Sequence, residues 1–471
     1  MTLTPATFDA PSLLLIPDKV MLREKPVDGH AVLIADGRFA DVGSAGELQA
    51  RHADVAHVRL PGKIIMPGFI DAHHHLTQSF GKALAFGEPS EIFRRIWVPL
   101  EGSLDAELVY LAGKLAALEA LRGGFTTVVD AGTRAGGDLE PLARAVGEAG
   151  LRCVLGLICN DKGGGSTGEP DVILRRAEKH LAAWPDTGLV HPSLAISIPE
   201  AASDAVLTHV SALCREAGAI FQTHVNEHLA AVERSLVQRR QRPLEHLHAV
   251  GALGPQSLLA HASLVTPHEL RLLQETGAAV AYNPVATQWK GNAAAPAEMM
   301  AELGIRFGIG TDGTRSDGFR LVDAAEATQR LVFGLHVGDF STGGGWLWLD
   351  HATAAGAEAI GLGAVTGEIA PGKAADFLIV DLDVPEFRPS HDLTWELVRL
   401  GNRDQIVAVF VAGSLRLWHG WPTDWDARAL MRQVSERAAA AVAAAPIQKI
   451  HPFASAHRER AATQGKSTGQ A

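Results

Sequence analysis

The sequence predicts a (β/α)8 TIM barrel that carries a small composite β-sandwich formed by the N- and C-terminal flanks. Three observations predict it. Eight apolar, β-branched runs fall between residues 60 and 315, with amphipathic segments between them, the alternation expected of parallel strands joined by crossover helices. Eight such units favour a closed barrel, and no Gly-x-Gly-x-x-Gly follows the first run to favour an open doubly wound sheet. On either side the texture changes to short alternating segments broken by turn pairs.

In chain order, residues 1–63 are expected to supply one half of the sandwich, with turns at Asp36-Gly37 and Pro61-Gly62. The barrel is expected over 64–366, its strands over Ile64–Ile70, Thr126–Asp130, Cys153–Ile158, Leu194–Ile198, Ala219–Thr223, Ser257–Ala260, Ala278–Ala281 and Arg306–Gly310. Helices between them are expected over Ala106–Arg122, Asp138–Ala149, Pro170–Ala183, Ala205–Ala217 and Pro267–Glu275. Residues 367–422 form the other half of the sandwich, with strands at Ala375–Asp381 and Ile406–Val411 and turns at Ala412-Gly413 and His419-Gly420. In 423–471 an Ala-rich helix runs from Asp424 to Ala445, and a polar tail from Ala456 is expected to be mobile.

Composition narrows the class. The chain has 471 residues, 47% hydrophobic and 20% charged, as in an ordinary globular enzyme. A net charge of −11 without a Lys/Arg cluster leaves no footprint for nucleic acid. No stretch approaches the ~18 apolar residues needed to span a bilayer. The amino terminus lacks the basic start of a signal peptide. Cys153 and Cys159 sit in a core-strand run, so disulfides are not expected and a reducing cytoplasm is.

Four segments carry the chemistry: His73-x-His75, His224 with Glu227, His261 and Asp312, each following a predicted strand. Three imidazoles and one carboxylate suit a divalent ion such as Zn²⁺ and leave a position open for water. Residues i and i+2 share a face of a strand, so His73 and His75 reach one ion while His74 points away. His224-Val-Asn-Glu227-His228 has two readings. On a helix it is a metallopeptidase site with both histidines ligating; on a strand, favoured by the β-rich Ala219–Thr223, His224 is a ligand and Glu227 a proton shuttle. His261 reads as a further site imidazole against a buried core histidine, and Asp312 as a strand-end ligand against a simple Asp-Gly turn. His246-x-His248 lies in a helical segment, where i and i+2 diverge by about 200°, so it is set aside. Gly163–Gly165 lacks the Lys of a phosphate loop.

Met66-Pro-Gly-Phe-Ile-Asp-Ala-His-His-His, Thr223-His-Val-Asn-Glu, Gly310-Thr-Asp-Gly and Gly367-Glu-Ile-Ala-Pro-Gly-Lys-Ala-Ala-Asp-Phe together span nearly the whole chain. They resemble the amidohydrolase superfamily, in particular its cytosine/guanine deaminase and chlorotriazine aminohydrolase-like branch. The resemblance implies one divalent ion, Zn²⁺ with Fe²⁺ as alternative, on His73, His75, His224 and Asp312. No Lys stands in the predicted fourth strand to bridge two ions. It implies hydrolytic deamination of an amino-substituted N-heterocycle, a purine, pterin or pyrimidine. His261 would hydrogen-bond the attacking water, Asp312 would take its proton, and Glu227 would protonate the ring nitrogen beside the attacked carbon. For that last role the Glu227 pKa is expected to be raised by a dry pocket. The alternative within the same chemistry is a chloro- or alkylamino-hydrolase of s-triazines, or another amide or urea hydrolase. Gln78, Trp97 and Asn283 are expected to meet the substrate. The departures Ser197-Ile-Pro-Glu200, Tyr282-Asn-Pro-Val-Ala286-Thr287 and Ser316-Asp317 fall where relatives line or support the pocket. A small heterocycle is the expected partner, with no nucleic acid or membrane, and a homodimer or higher homo-oligomer is allowed for.

Overall fold

The structure, a computed structural model, describes residues 3–88, 92–163, 166–185, 188–334, 338 and 341–450. The tail from Ala456 and residues 164 and 165 of the glycine loop lie outside the described residues.

The N-terminal flank contributes β1 (Ser12–Met21), β2 (Pro26–Asp28), β3 (His30–Ala35), β4 (Arg38–Ser44) and β5 (Ala56–Pro67). The barrel strands are β6 (Phe69–His74), β7 (Phe125–Asp130), β8 (Arg152–Ile158), β9 (Val190–Ile196), β10 (Phe221–Val225), β11 (Ser257–His261), β12 (Ala279–Tyr282) and β13 (Phe307–Ile309). After the barrel come β14 (Phe377–Asp381), β15 (Ile406–Val411) and β16 (Ser414–Trp418).

Strands β6 to β13 pair in chain order as one parallel sheet. The two ends meet beyond β13, where the Asp312 N–H donates to His73 O (2.8 Å) and the Thr311 N–H to Asp71 Oδ1 (2.9 Å). Period-two alternation sorts the side chains. Ile70, Val129, Val154, Leu258, Ala279 and Ala281 share one buried cluster with the helix Ala354–Ala359, which plugs the barrel. Val128, Leu155, Leu259, Val280 and Tyr282 pack outward on the helices. Those helices start and stop where local chemistry says they should. Asp105 caps Ala106–Arg122 by accepting the Leu108 N–H, and Thr266 with Glu269 forms a capping box at Pro267–Thr276.

The flanks join in a single sheet ordered β16-β15-β14-β5-β1-β3-β4, with β2 paired to β1. It folds over on itself: Phe39 of β4 lies 5.8 Å from Phe377 of β14, and the Phe39 N–H donates to Lys373 O. The run predicted as one strand over Ile64–Ile70 is divided. Ile64 to Pro67 end β5 in the flanking sheet, paired with β1 and β14, and the barrel strand begins at Phe69. Both pieces are apolar and buried, so hydropathy does not mark the break. Pro61-Gly62 is not a turn but an irregularity inside β5, with Gly62 at φ +70°. Strand β16 was not foreseen; its burial is shallow at every position but Leu417.

Candidate active site

The chemistry-bearing side chains gather at the C-terminal ends of the barrel strands. His73, His75, His224 and Asp312 each offer one ligand atom, and these atoms lie within 4.8 Å of one another. Asp312 Oδ1 is 3.4 Å from His73 Nε2 and 3.3 Å from His75 Nε2, and His224 Nε2 is 3.3 Å from His75 Nε2. His224 Nδ1 sits 2.7 Å from Ser197 O. A carbonyl only accepts, so Nδ1 carries the proton and Nε2 presents its lone pair inward. His73 Nε2 is buried with no hydrogen-bond partner among the described residues. Nitrogen lone pairs facing one another across such distances, with a carboxylate oxygen among them, suit a shared cation, so the residues present fit a divalent ion. His224 lies on β10, a strand and not a helix, which rules out the metallopeptidase arrangement. β9 reads Val-His-Pro-Ser-Leu-Ala-Ile, with no Lys to bridge a second ion.

The backbone is strained where the site is built. Asn226, His261, Ala262 and Asp312 all adopt positive φ (51°, 72°, 46° and 56°), which costs a non-glycine residue free energy and persists only where surroundings enforce it. At His261 the strain has a visible use. Alternation sends Leu259 to the outer cluster and Leu258 to the inner one, so His261 would face outward. The left-handed residue turns it back, and its ring lies 5.6 Å from both His73 and His224. At Gly310 a side chain would collide with Asn283 Oδ1 and the His73 backbone, so only glycine allows β6 and the end of β13 to approach.

Burial keeps three of the imidazoles neutral: His261 is pushed down to about 4, and His75 and His224 are also lowered. His74 is turned away, its Nε2 3.3 Å from Ser316 Oγ. Asp71 and Asp130 lie behind the histidines, both pushed up to about 7 by burial. Asp71 accepts from Thr311 Oγ1 (2.5 Å), and Asp130 from the Leu76 N–H (2.8 Å).

Glu227 follows β10 with its Oε1 3.7 Å from His261 Nε2. The expectation of a raised pKa is overturned. Burial does push it up, but His261, Lys290 and His228 together outweigh burial and hold it well below the usual carboxylate range. Lys290 is the residue that sequence reasoning missed. Its Nζ lies 2.8 Å from Glu227 Oε1 and 2.7 Å from Asp312 Oδ2. Nothing in the sequence singles out this Lys, the last residue of the helix Pro284–Lys290.

The three residues expected at the substrate lie as follows. Gln78 is buried and donates to Glu101 Oε1 at 3.4 Å. Trp97 is 9% exposed and packs with Ile92, Ile96 and Leu100 in the long loop after β6. Neither side chain makes a hydrogen bond or ring contact with the four converging residues among the described residues, although the Gln78 N–H donates to His75 O (3.2 Å). Asn283 is buried behind His261, its Nδ2 3.2 Å from His261 Nδ1. The positions that depart from relatives support more than they line. The Tyr282 hydroxyl donates to Ala325 O (3.2 Å), and Asp317 caps the helix Gly318–Gln329. A cavity of about 870 Å³ beside the site is lined by Leu229, Ser263, Gln288 and Asn292. Of its lining residues, Asn292 has its Nδ2 3.5 Å from Glu227 Oε1.

Residues 64–416 match the model of the amidohydrolase family. The chain belongs to that family. A 5-methylthioadenosine/S-adenosylhomocysteine deaminase of Nitratidesulfovibrio vulgaris is 29% identical over 411 residues, 87% of this chain and 92% of that relative. A second deaminase of that name, from Archaeoglobus fulgidus, is 31% identical over 68% of this chain and 74% of its own length. A zinc-bound adenosine deaminase of Xanthomonas campestris superposes with a TM-score of 0.83 at 26% identity, covering 91% of this chain and 98% of that one. This amidohydrolase has a four-residue group that could hold a divalent ion, and no helix among its described residues is long and apolar enough to cross a membrane.

Proposed function

We propose that the protein hydrolytically deaminates an amino-substituted N-heterocycle, with one divalent ion, Zn²⁺ foremost, on His73, His75, His224 and Asp312. The observation that carries this is the convergence of those four ligand atoms with Glu227 and His261 at the rim, in a chain whose relatives are deaminases of adenosine-type compounds. A divalent ion held there supplies Lewis acidity that brings the pKa of a water toward ~7.

This chain's own residues do the rest. The neutral His261, braced by Asn283, directs Nε2 at the attacking water. As water adds to the ring carbon, Glu227 collects one of its protons and delivers it to the adjacent ring nitrogen. Asp312 takes the second from the new hydroxyl and passes it to the amino group, which leaves as ammonia. The product carries an oxo group and a ring N–H in place of the amine. Glu227 is ionised before this sequence begins, so it gathers its proton from water and does not need to arrive with one.

The test is protein reconstituted with Zn²⁺ or Fe²⁺ and screened against aminopurines, aminopterins, aminopyrimidines and s-triazines, with ammonia, chloride and alkylamine all measured. Ammonia release from a heterocyclic amine is expected. Release of only chloride or alkylamine from triazines, or of nothing from the panel, would reject the reading.

A further inference from the structure

We propose that Lys290 is a positioning residue, a single ammonium that decides which oxygen of Glu227 and which oxygen of Asp312 does chemistry. The proposal rests on the reading of Asp312 as metal ligand and Glu227 as proton carrier.

The geometry divides each carboxylate. Asp312 turns Oδ1 toward His73 and His75 (3.4 and 3.3 Å), and its Oδ2 is held by Lys290 at 2.7 Å. Glu227 Oε1 is held by Lys290 at 2.8 Å and also meets His228 Nε2 at 3.1 Å and Asn292 Nδ2 at 3.5 Å. Among the described residues no hydrogen bond is made to Glu227 Oε2. The two oxygens of an isolated carboxylate are equivalent and exchange by a half-turn of the terminal torsion. Charge-assisted hydrogen bonds to one oxygen of each break that equivalence. Oδ1 is thereby presented to the ligand group, and Oε2 is left for the substrate's ring nitrogen.

Lys290 can do this because its helix is fixed on both sides. The neighbouring Trp289 packs edge-on to Phe86 at 5.4 Å, and Gln288 Nε2 donates to Thr328 Oγ1 at 2.9 Å. The Lys290 side chain is 13% exposed, so its charge acts on the two carboxylates with little screening. A cation so close to a ligand carboxylate must also oppose binding of a dication. Lys290 therefore sacrifices some metal affinity for carboxylate geometry, and the two effects separate experimentally.

The experiment compares Lys290→Met and Lys290→Arg with wild type. Zn²⁺ affinity is measured by competition with a chromophoric chelator, and kcat and KM by ammonia release. In Lys290→Met, kcat should fall by roughly 10–100-fold, the scale of a misplaced catalytic group, with KM within a few-fold. Its Zn²⁺ should be held tighter by roughly tenfold, the size of effect that groups behind the ligands exert. Damage to the fold would weaken metal binding and turnover together; opposite movement is what positioning requires. Lys290→Arg, which keeps the charge, should hold Zn²⁺ as wild type does and recover part of kcat. Unchanged kcat in both variants would overturn the proposal, as would joint loss of Zn²⁺ and turnover. A wild-type chain that bound no divalent ion would instead overturn the ligand reading beneath it, and the proposal with it.

Discussion

Arg152 on β8 and Asp376 just before β14 form a bidentate ion pair, Nε to Oδ2 at 2.8 Å and Nη2 to Oδ1 at 3.2 Å, with side chains 4% and 0% exposed. Asp376 also accepts from Thr366 Oγ1 (2.8 Å) and the Ala412 N–H (2.6 Å), and its carbonyl accepts the Gly68 N–H. One residue thus ties the barrel to the flanking sheet, its carboxylate through Arg152 and Ala412 and its carbonyl at the point where the chain passes from β5 into β6. Asp376→Ala would leave a buried guanidinium without its counter-charge. It should destabilise the protein by about 3–5 kcal/mol, read as a lower urea midpoint.

Ligand removal should separate folding from metal binding. His73→Ala and Asp312→Ala should each lose the ion and the activity and still fold, because other residues form the barrel core. Elemental analysis of wild type should find one tightly held ion per chain. Two ions, both required for turnover, would contradict the four-residue ligand set, and so would either variant retaining metal and rate.

Glu227→Gln should keep the ion, since Glu227 stands outside the converging group. The amide cannot carry a proton, so kcat should fall by roughly 10²–10⁴, the usual worth of general acid–base catalysis, while KM changes less. Metal content and kcat are to be measured on one sample. Loss of the ion would move Glu227 among the ligands; unchanged kcat would remove it from the reaction.

A pH-dependent stability term is expected far from the site, at His351. Its Nδ1–H donates to Phe307 O at 2.8 Å, its ring stacks on Phe307 at 3.6 Å, and burial lowers its pKa from 6.5 to about 4. Below 6.5 the unfolded chain binds a proton that the folded chain refuses, so this contribution is lost as pH falls from 6.5 toward 4 and is fully present above 6.5. The destabilisation caused by His351→Gln should accordingly be larger at pH 7.5 than at pH 4.5. An equal effect at both values, in urea unfolding, would show that His351 does not titrate in this way.

What the sequence determined by itself follows from local rules. Strand alternation and strand-end position place His73, His75 and His224 on one face, and the spacing of apolar runs indicates eight parallel units closing a barrel. Such features repeat within a few residues, so they can be read before the chain folds. Other features were decided only in three dimensions. Lys290 is an unremarkable helix-end lysine until packing brings it within 2.8 Å of Glu227, 63 residues away. With His261 and His228, that contact reverses the expected direction of the Glu227 pKa, because a buried carboxylate answers to the charges around it as well as to burial. His261 faces inward against its strand's alternation, by means of a left-handed backbone that no residue pattern announces. Asn283 came to rest behind His261, and Trp97 in the core of its loop, because what a side chain touches depends on contacts made from distant parts of the chain.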